Sequence, residues 1–330
     1  RSLAVDLHRA EGRQVILDLV ATADVFVQNF RPGVCERMGI GYEDLRAVNP
    51  DLVYVSISGF GPTGPYADRP ILDPVIQGLT GMVAYQVNPE IPFPDLVRNI
   101  VSDKSTALTV AQAVTVALLA RERGAGGQHV EIPMLDATLF FFWSDAMVDL
   151  TMVGDGVTPG LTLAEVYRLT ECLDGKIIYF AASTAHIHGV SRAVGHPEWC
   201  EDPRYDLDGF AEDPQNLLDY GQMTAEAFAS MSVADALAGL LEGDVPSGPI
   251  LEREEVLADP QVVHNESIVT WEHPEAGTVR QARPAARFSE TPVEMRLNAS
   301  SKGQDSDEIL AGIGRTDEEI RALRAGGIVV

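Results

Sequence analysis

The run GGQHVEIPMLDATLFFF at residues 126–142 carries a lone charge near its end, Asp136, between a strand-like stretch and an apolar one. A carboxylate in apolar surroundings is costly unless it is paired, hydrogen-bonded or kept neutral. On position alone, Asp136 suits a helix N-cap, accepting backbone N–H groups where Ala-Thr-Leu-Phe begins. A second group, Asn29-Phe30-Arg31-Pro32-Gly33, follows another strand-like stretch, with Arg37 one helical turn on. Arginine pairs with phosphate or carboxylate in bidentate fashion; without a ligand, the same group is a turn bearing two solvated charges. Asp103 and Lys104 precede a long apolar stretch, Lys104 as a cation for a phosphate or carboxylate and Asp103 as a cap for the helix. His186-Ile187-His188 places two imidazoles at i, i+2 without a third ligand in view, so no metal site is expected. Gly59-Phe60-Gly61-Pro62-Thr63-Gly64 has the GxGxxG spacing of a dinucleotide site. Pro62 and Pro65 interrupt the helix whose amides would face a pyrophosphate, and a rigid, turn-rich loop at a strand's carboxyl end is expected instead. Ligands bind at such edges in α/β sheets, so the loop is a candidate lining for a site.

Positioning these groups requires an ordered scaffold, and the periodicity supplies one. SLAVDL, DVFVQNF and DLVYVSISGF read as strands, and EGRQVILDLVATA between the first two repeats apolar residues at helical spacing. This alternation points to an α/β layer with a parallel sheet. Residues 103–123 form a long apolar helix closed by Gly-Ala-Gly-Gly, and residues 151–162 are loop-like. From about Glu165 the texture changes to a hairpin around Asp174-Gly175, then mixed helices, then a second strand pair in VTWEHPEAGTVRQARPAARF. The tail is two short helices and an apolar arm. With 330 residues, 45% hydrophobic and 22% charged, the chain can bury a substantial core and is expected to form two lobes. A net charge of −25 argues against nucleic acid or an anionic membrane surface as partner. Cys35, Cys172 and Cys200 are dispersed and fit a reducing cytoplasm, and no apolar run of membrane-spanning length is present.

VQNFRPGVCERMGIGYEDL, NPDLVYVSISGFGPTGPYADRP and DKSTAL…ARERGAGGQHVEIPMLDA, in this order, resemble family III CoA-transferases. This is the CaiB/BaiF group, with formyl-CoA:oxalate and carnitine CoA-transferases among its members. The resemblance continues through YRLTECLDGKIIYFAA, GHPEWCEDPRY, VPSGPI and WEHPEAG to the terminal helices. It implies a Rossmann-like large domain with a parallel sheet over residues 1–160, a smaller α+β domain over 161–288, a return to the large domain over 289–330, and an interlocked homodimer. The implied activity moves CoA from an acyl-CoA to a carboxylic acid. No tightly bound cofactor or metal is expected, and CoA enters as substrate. By the same resemblance Asp136 is the nucleophile, passing through a mixed anhydride and an aspartyl-CoA thioester. Asn29, Phe30, Arg31, Gly33 and Arg37 would hold the CoA nucleotide, joined by Lys104. Gly59, Phe60, Gly61, Arg69 and Asp73 would line the substrate pocket.

Departures from the pattern separate the readings. The family's opening strand and helix are not in this sequence, which begins at Arg1, and some CoA contacts would belong to them. A shielding run of glycines is replaced by scattered Gly154, Gly156 and Gly160. α-Methylacyl-CoA racemases share the implied fold but use a histidine where this chain has Asp73, and a glutamate where it has Thr184, so racemisation is disfavoured. An acyl-CoA lyase or dehydratase with Asp136 as base stays open, as does a non-catalytic CoA-binding subunit.

Overall fold

A computed structural model describes residues 1–86, 95–156 and 163–330 of the chain. Gly160 and the boundary between residues 160 and 161 lie outside the described residues. The chain divides into two units, Arg1–Glu165 with Arg296–Val330, and Val166–Met295.

The first unit is an α/β layer. Helix α1 (Ala10–Val20) leads into β1 (Val25–Gln28), and α2 (Val34–Met38) and α3 (Tyr42–Val48) lead into β2 (Val53–Ser58). Gly39 joins α2 to α3 at φ 71°, a left-handed conformation that only glycine adopts without penalty. After β2 come α4 (Asp73–Leu79), α5 (Met82–Tyr85) and the 20-residue α6 (Val101–Ala120), which return the chain to β3 (Gln128–Pro133). Helices α7 (Met134–Ala146) and α8 (Val148–Thr151) follow. The three strands form a parallel sheet in the order β1-β2-β3. Val53, Tyr54 and Val55 of the central strand are fully buried, as a parallel strand covered on both faces requires.

Helices α6 and α7 are apolar on more than one side, and their outer faces stay exposed in the single chain. Leu108 is 68% exposed, Phe140 81% and Phe141 53%. The expected opening strand SLAVDL is not a regular strand. It makes one antiparallel bridge, Val5 to Val329, flanked by Asp6 N–H to Ile328 O at 2.8 Å and Val330 N–H to Ala4 O at 3.0 Å. Its apolar residues pack instead against the C-terminal helices, where Val15 is buried with Leu310, Ile320, Ile328 and Val329.

A short helix, α9 (Leu163–Val166), precedes the strands of the second unit. There the expected hairpin is β4 (Thr170–Cys172) and β5 (Gly175–Tyr179), with β6 (Ser247–Pro249) added antiparallel to β5. Helices α10 (Thr184–Ala193), α11 (Leu207–Glu212), α12 (Pro214–Phe228) and α13 (Val233–Glu242) bury Ile187, Val190, Phe228 and Leu240 with Ile177 of the sheet. Asp213 caps α12 and Asp259 caps α14 (Pro260–His264), each ahead of a proline whose missing N–H costs a helix start nothing. The second strand pair is the hairpin β7 (Ile268–His273) and β8 (Gly277–Ala282). Helices α15 (Ser306–Gly312) and α16 (Asp317–Ala325) belong to the first unit. Among the described residues no helix is long and apolar enough to cross a membrane.

Candidate active site

Parallel strands carry their carboxyl ends to one edge, so the segments after β1, β2 and β3 share an edge of the same sheet. Those segments are the Asn29–Gly33 turn, the loop opened by Gly59, and the start of α7. This is the edge where α/β sheets bind ligands.

The turn after β1 is bent by Gly33 at φ 77°. A side-chain carbon there would sit 2.8 Å from Nη1 of Arg37, so Arg37 folds back over the glycine. Arg31, Arg37, Asn29 and Phe30 are all exposed. Among the described residues neither arginine forms an ion pair, which leaves two guanidinium groups open to an anion in a strongly acidic chain.

The loop after β2 is built of turns and bends, as its prolines and glycines predict. Gly61, at φ 91°, donates its N–H to Ser58 Oγ at 3.0 Å. Phe60 meets Tyr66 edge-on at 5.3 Å, and the guanidinium of Arg69 lies 3.7 Å over the Tyr66 ring. The loop is tied at both ends. Leu135 N–H, at the start of α7, donates to Gly59 O at 3.1 Å. Gly59 also packs on Ile71, so closely that a side-chain carbon would come within 2.4 Å of it.

Asp136 does not cap α7. The N-cap is Pro133, in extended conformation at φ −70° and ψ 131°, and the helix begins at Met134, three residues earlier than the capping reading requires. Asp136 therefore lies inside the first turn, near the positive end of the helix dipole. It is exposed rather than embedded in apolar chain. Helical geometry explains this: Asp136, Phe140 and Trp143 fall on one face at i, i+4 and i+7 and are exposed, while Thr138 and Phe142 turn inward. Among the described residues Asp136 has no hydrogen-bond partner.

Asp73, expected to line the pocket, begins α4 and faces inward. It is 3% exposed, and both carboxylate oxygens are committed. Oδ1 accepts from Gln77 Nε2 at 2.6 Å, and Oδ2 accepts from the backbone N–H groups of Ser102 at 2.7 Å and Asp103 at 3.1 Å. Asp73 thus caps α6 from another element, because the N-cap residue itself, Ile100, has no side chain able to do so. Gln77 secures the arrangement: its Nε2 also donates to Val97 O and Asn99 O at 3.2 Å each, and its Oε1 accepts from Val97 N at 3.0 Å.

The cap expected of Asp103 is therefore supplied by Asp73, and the Asp103 carboxylate is left in the first turn of α6 beside the exposed Lys104. Desolvation, then the charge of Asp73, push its carboxyl group above the usual carboxylate range, against the opposing pull of Lys104. A chain of contacts joins the two free aspartates through the loop. Asp136 follows Leu135, which holds Gly59; Gly59 packs on Ile71, two residues before the Asp73 that holds Asp103.

Sequence reasoning assigned no role to Gln28, Ser56, His129 or Gln77. Gln28 and Ser56 stand opposite each other in the β1–β2 register, a pairing visible only once the strands are aligned. Among the described residues no three metal-ligating side chains converge, and His186 uses Nδ1 to accept Ala182 N–H at 3.2 Å.

Comparison with known proteins agrees with this architecture. The chain is 29% identical over 338 residues to a succinyl-CoA–D-citramalate CoA-transferase of Chloroflexus aurantiacus, covering 100% of this chain and 82% of the relative. It is also 29% identical over 334 residues to an acyl-CoA transferase of Fusarium pseudograminearum, covering 100% of this chain and 72% of that protein. A solved CaiB/BaiF family protein from Brucella suis superimposes with a TM-score of 0.76 at 29% identity, over 95% of this chain and 81% of its own. The profile of CoA-transferase family III matches residues 1–306, and the chain belongs to that family.

Proposed function

We propose that this CoA-transferase works through an acylated aspartate at the carboxyl edge of the parallel sheet, and that Asp103 is the reacting group. The observation that carries the choice is the Asp73 cap. It holds the N-terminal amides of α6 and leaves the Asp103 carboxylate unbonded, partly desolvated and beside a second carboxylate. Such surroundings raise the reactivity of a carboxylate oxygen. The oxygen attacks the thioester carbonyl and CoA leaves as thiolate, giving a mixed anhydride. The thiolate then attacks the aspartyl carbonyl, the donor departs as carboxylate, and an aspartyl-CoA thioester remains. The acceptor carboxylate attacks that thioester and expels the thiolate, which takes the acyl group from the new anhydride and frees the aspartate. Lys104, next to Asp103, offsets the charge that gathers on oxygen.

Asn29, Phe30, Arg31, Gly33 and Arg37 are proposed to hold the CoA nucleotide, with both arginines on its phosphates. Gly59, Phe60, Gly61 and Arg69 line the acyl pocket in this reading. Arg69, stacked on Tyr66 and without an ion pair among the described residues, suits the far carboxylate of a dicarboxylic acyl group. That is the class to which the succinyl donor named for the Chloroflexus relative belongs. A homodimer is proposed to cover the exposed outer faces of α6 and α7, which are too apolar to stand in water alone.

A second reading keeps Asp136 as the nucleophile. The bond from Leu135 to Gly59 favours it, because that bond brings the start of α7 to the same loop. One experiment separates the two. The protein is incubated with a panel of acyl-CoAs and then hydroxylamine, and the peptides containing Asp103 and Asp136 are weighed. A donor-dependent hydroxamate on Asp103 supports the first reading and one on Asp136 the second. A bound donor with both peptides unmodified removes the covalent mechanism and leaves a lyase or a binding role.

A further inference from the structure

A line of hydrogen bonds runs across the sheet into the Asn29–Gly33 turn. Phe30 N–H donates to Gln28 Oε1 at 2.8 Å, Gln28 Nε2 donates to Ser56 Oγ at 3.0 Å, and Ser56 Oγ lies 2.8 Å from His129 Nε2. One residue comes from each strand: Gln28 ends β1, Ser56 is in β2 and His129 in β3. The far end is fixed by rings. The imidazole of His129 stacks on Tyr42 at 4.8 Å and 23° and meets the fully buried Tyr54 edge-on at 5.2 Å. Neither tautomer of His129 breaks the line, since a serine hydroxyl can both donate and accept. The Gln28 amide carries a donor and an acceptor on one planar group and both are engaged, so its orientation is set by both neighbours at once.

We infer that Gln28, Ser56 and His129 form a positioning relay that holds the Asn29–Gly33 turn in the bent form that receives CoA. Its role in affinity rests on the reading of that turn as the nucleotide site. The turn carries exposed Arg31, Phe30 and Asn29 and has no sheet partner of its own beyond Gln28. The relay couples it to the central strand, whose Val53, Tyr54 and Val55 are fully buried. An ordered turn has already lost the freedom that a ligand would otherwise have to remove, so the relay acts on affinity rather than on the chemical step.

The test uses Gln28→Ala and Ser56→Ala, with Gln28→Glu and Ser56→Thr as conservative partners and Arg31→Ala as a control on the nucleotide site. Amide hydrogen exchange over residues 29–33 of the free protein should quicken in the two alanine variants and stay near wild type in the conservative pair. The acyl-CoA KM should rise about three- to tenfold in the alanine variants, the change one lost hydrogen bond produces, with kcat held within about twofold. A merely structural role would instead lower the melting temperature and the active fraction while leaving KM where it was. Unchanged exchange over the turn, or unchanged KM in variants where Arg31→Ala does weaken CoA binding, would overturn the relay. If Arg31→Ala leaves CoA binding intact, the nucleotide reading of the turn falls and the relay's part in affinity with it, while the exchange data still decide the bracing.

Discussion

Replacing Asp73 by asparagine changes one oxygen into a nitrogen, and the surroundings forbid that exchange. If the remaining oxygen faces α6, it keeps the N–H groups of Ser102 and Asp103, and the new amide nitrogen then points at Gln77 Nε2, donor against donor. Turning Gln77 over to present its oxygen breaks its bonds to Val97 N, Val97 O and Asn99 O together. If the amide turns the other way, it points a donor at two donors of the helix start. Either arrangement leaves a buried polar group unpaired, which costs about 1–3 kcal/mol. Losing the negative charge at the N-terminus of a 20-residue helix adds about 0.3–1 kcal/mol. Asp73→Asn should therefore destabilise the first unit by about 1–4 kcal/mol. Removing its charge should also let the Asp103 carboxyl group fall toward the usual range, moving the acidic limb of the transferase pH profile to lower pH. Urea unfolding followed by hydrogen exchange of α6 peptides, with second-unit peptides as internal reference, reads the first effect, and the pH profile of kcat reads the second. A variant within about 0.5 kcal/mol of wild type, with α6 protection intact, would refute the claim that Asp73 acts as the ionised cap of α6.

Gly33→Ala places a side chain at φ 77° and displaces Arg37, so stability should drop by about 1–2 kcal/mol and the acyl-CoA KM should rise several-fold, read by calorimetry and steady-state kinetics. Gly189→Ala drives a carbon to 2.4 Å from Gly243 O and 2.7 Å from Val245 Cγ2, where backbone must move. It should cost about 1–3 kcal/mol in the second unit and leave α6 exchange unchanged. Burial raises the thiol of Cys35 and the phenols of Tyr54, Tyr179 and Tyr220 above their ordinary values. A raised folded value means the folded chain holds protons the unfolded chain releases, so the stability is full below the ordinary thiol and phenol range and is lost as pH climbs through the folded values. Three of the eight tyrosines should then give up their protons only as the chain unfolds, which phenolate absorbance against near-ultraviolet circular dichroism will show.

The strands β1 and β2 were legible because their apolar runs have little other use, and the hairpin at Asp174-Gly175 because its turn chemistry is local. What failed to show was remote in sequence. Pro133 reads as the end of a strand and acts as a helix N-cap, which moves Asp136 from the cap into the first turn. SLAVDL has strand composition, but its partner is the C-terminal arm and the pairing is a single bridge. Asp73 and Gln77 look like ordinary polar residues of a short amphipathic helix. Only the fold brings Asp73 to amides 29 and 30 positions further on, and Gln77 to the backbone of Val97 and Asn99. The sheet polar groups Gln28, Ser56 and His129 are equally silent, since their meeting depends on the parallel register and not on any spacing along the chain.

The same remoteness explains how a helix start in this strongly acidic chain leaves the carboxylate proposed to react without a hydrogen bond. A helix start attracts anions, and an aspartate in its first turn would ordinarily be drawn into bonding the free amides, which lowers its basicity and spends its lone pairs. Here a second, buried aspartate takes that task. It satisfies the amides of Ser102 and Asp103, is locked by Gln77, and adds its charge against Asp103. One carboxylate is thus given up to structure so that its neighbour stays unbonded and more basic than its position in the helix would allow. Opposed effects act on the Asp103 carboxyl group: partial desolvation and the charge of Asp73 hold its proton on, Lys104 draws it off, and the net direction is upward.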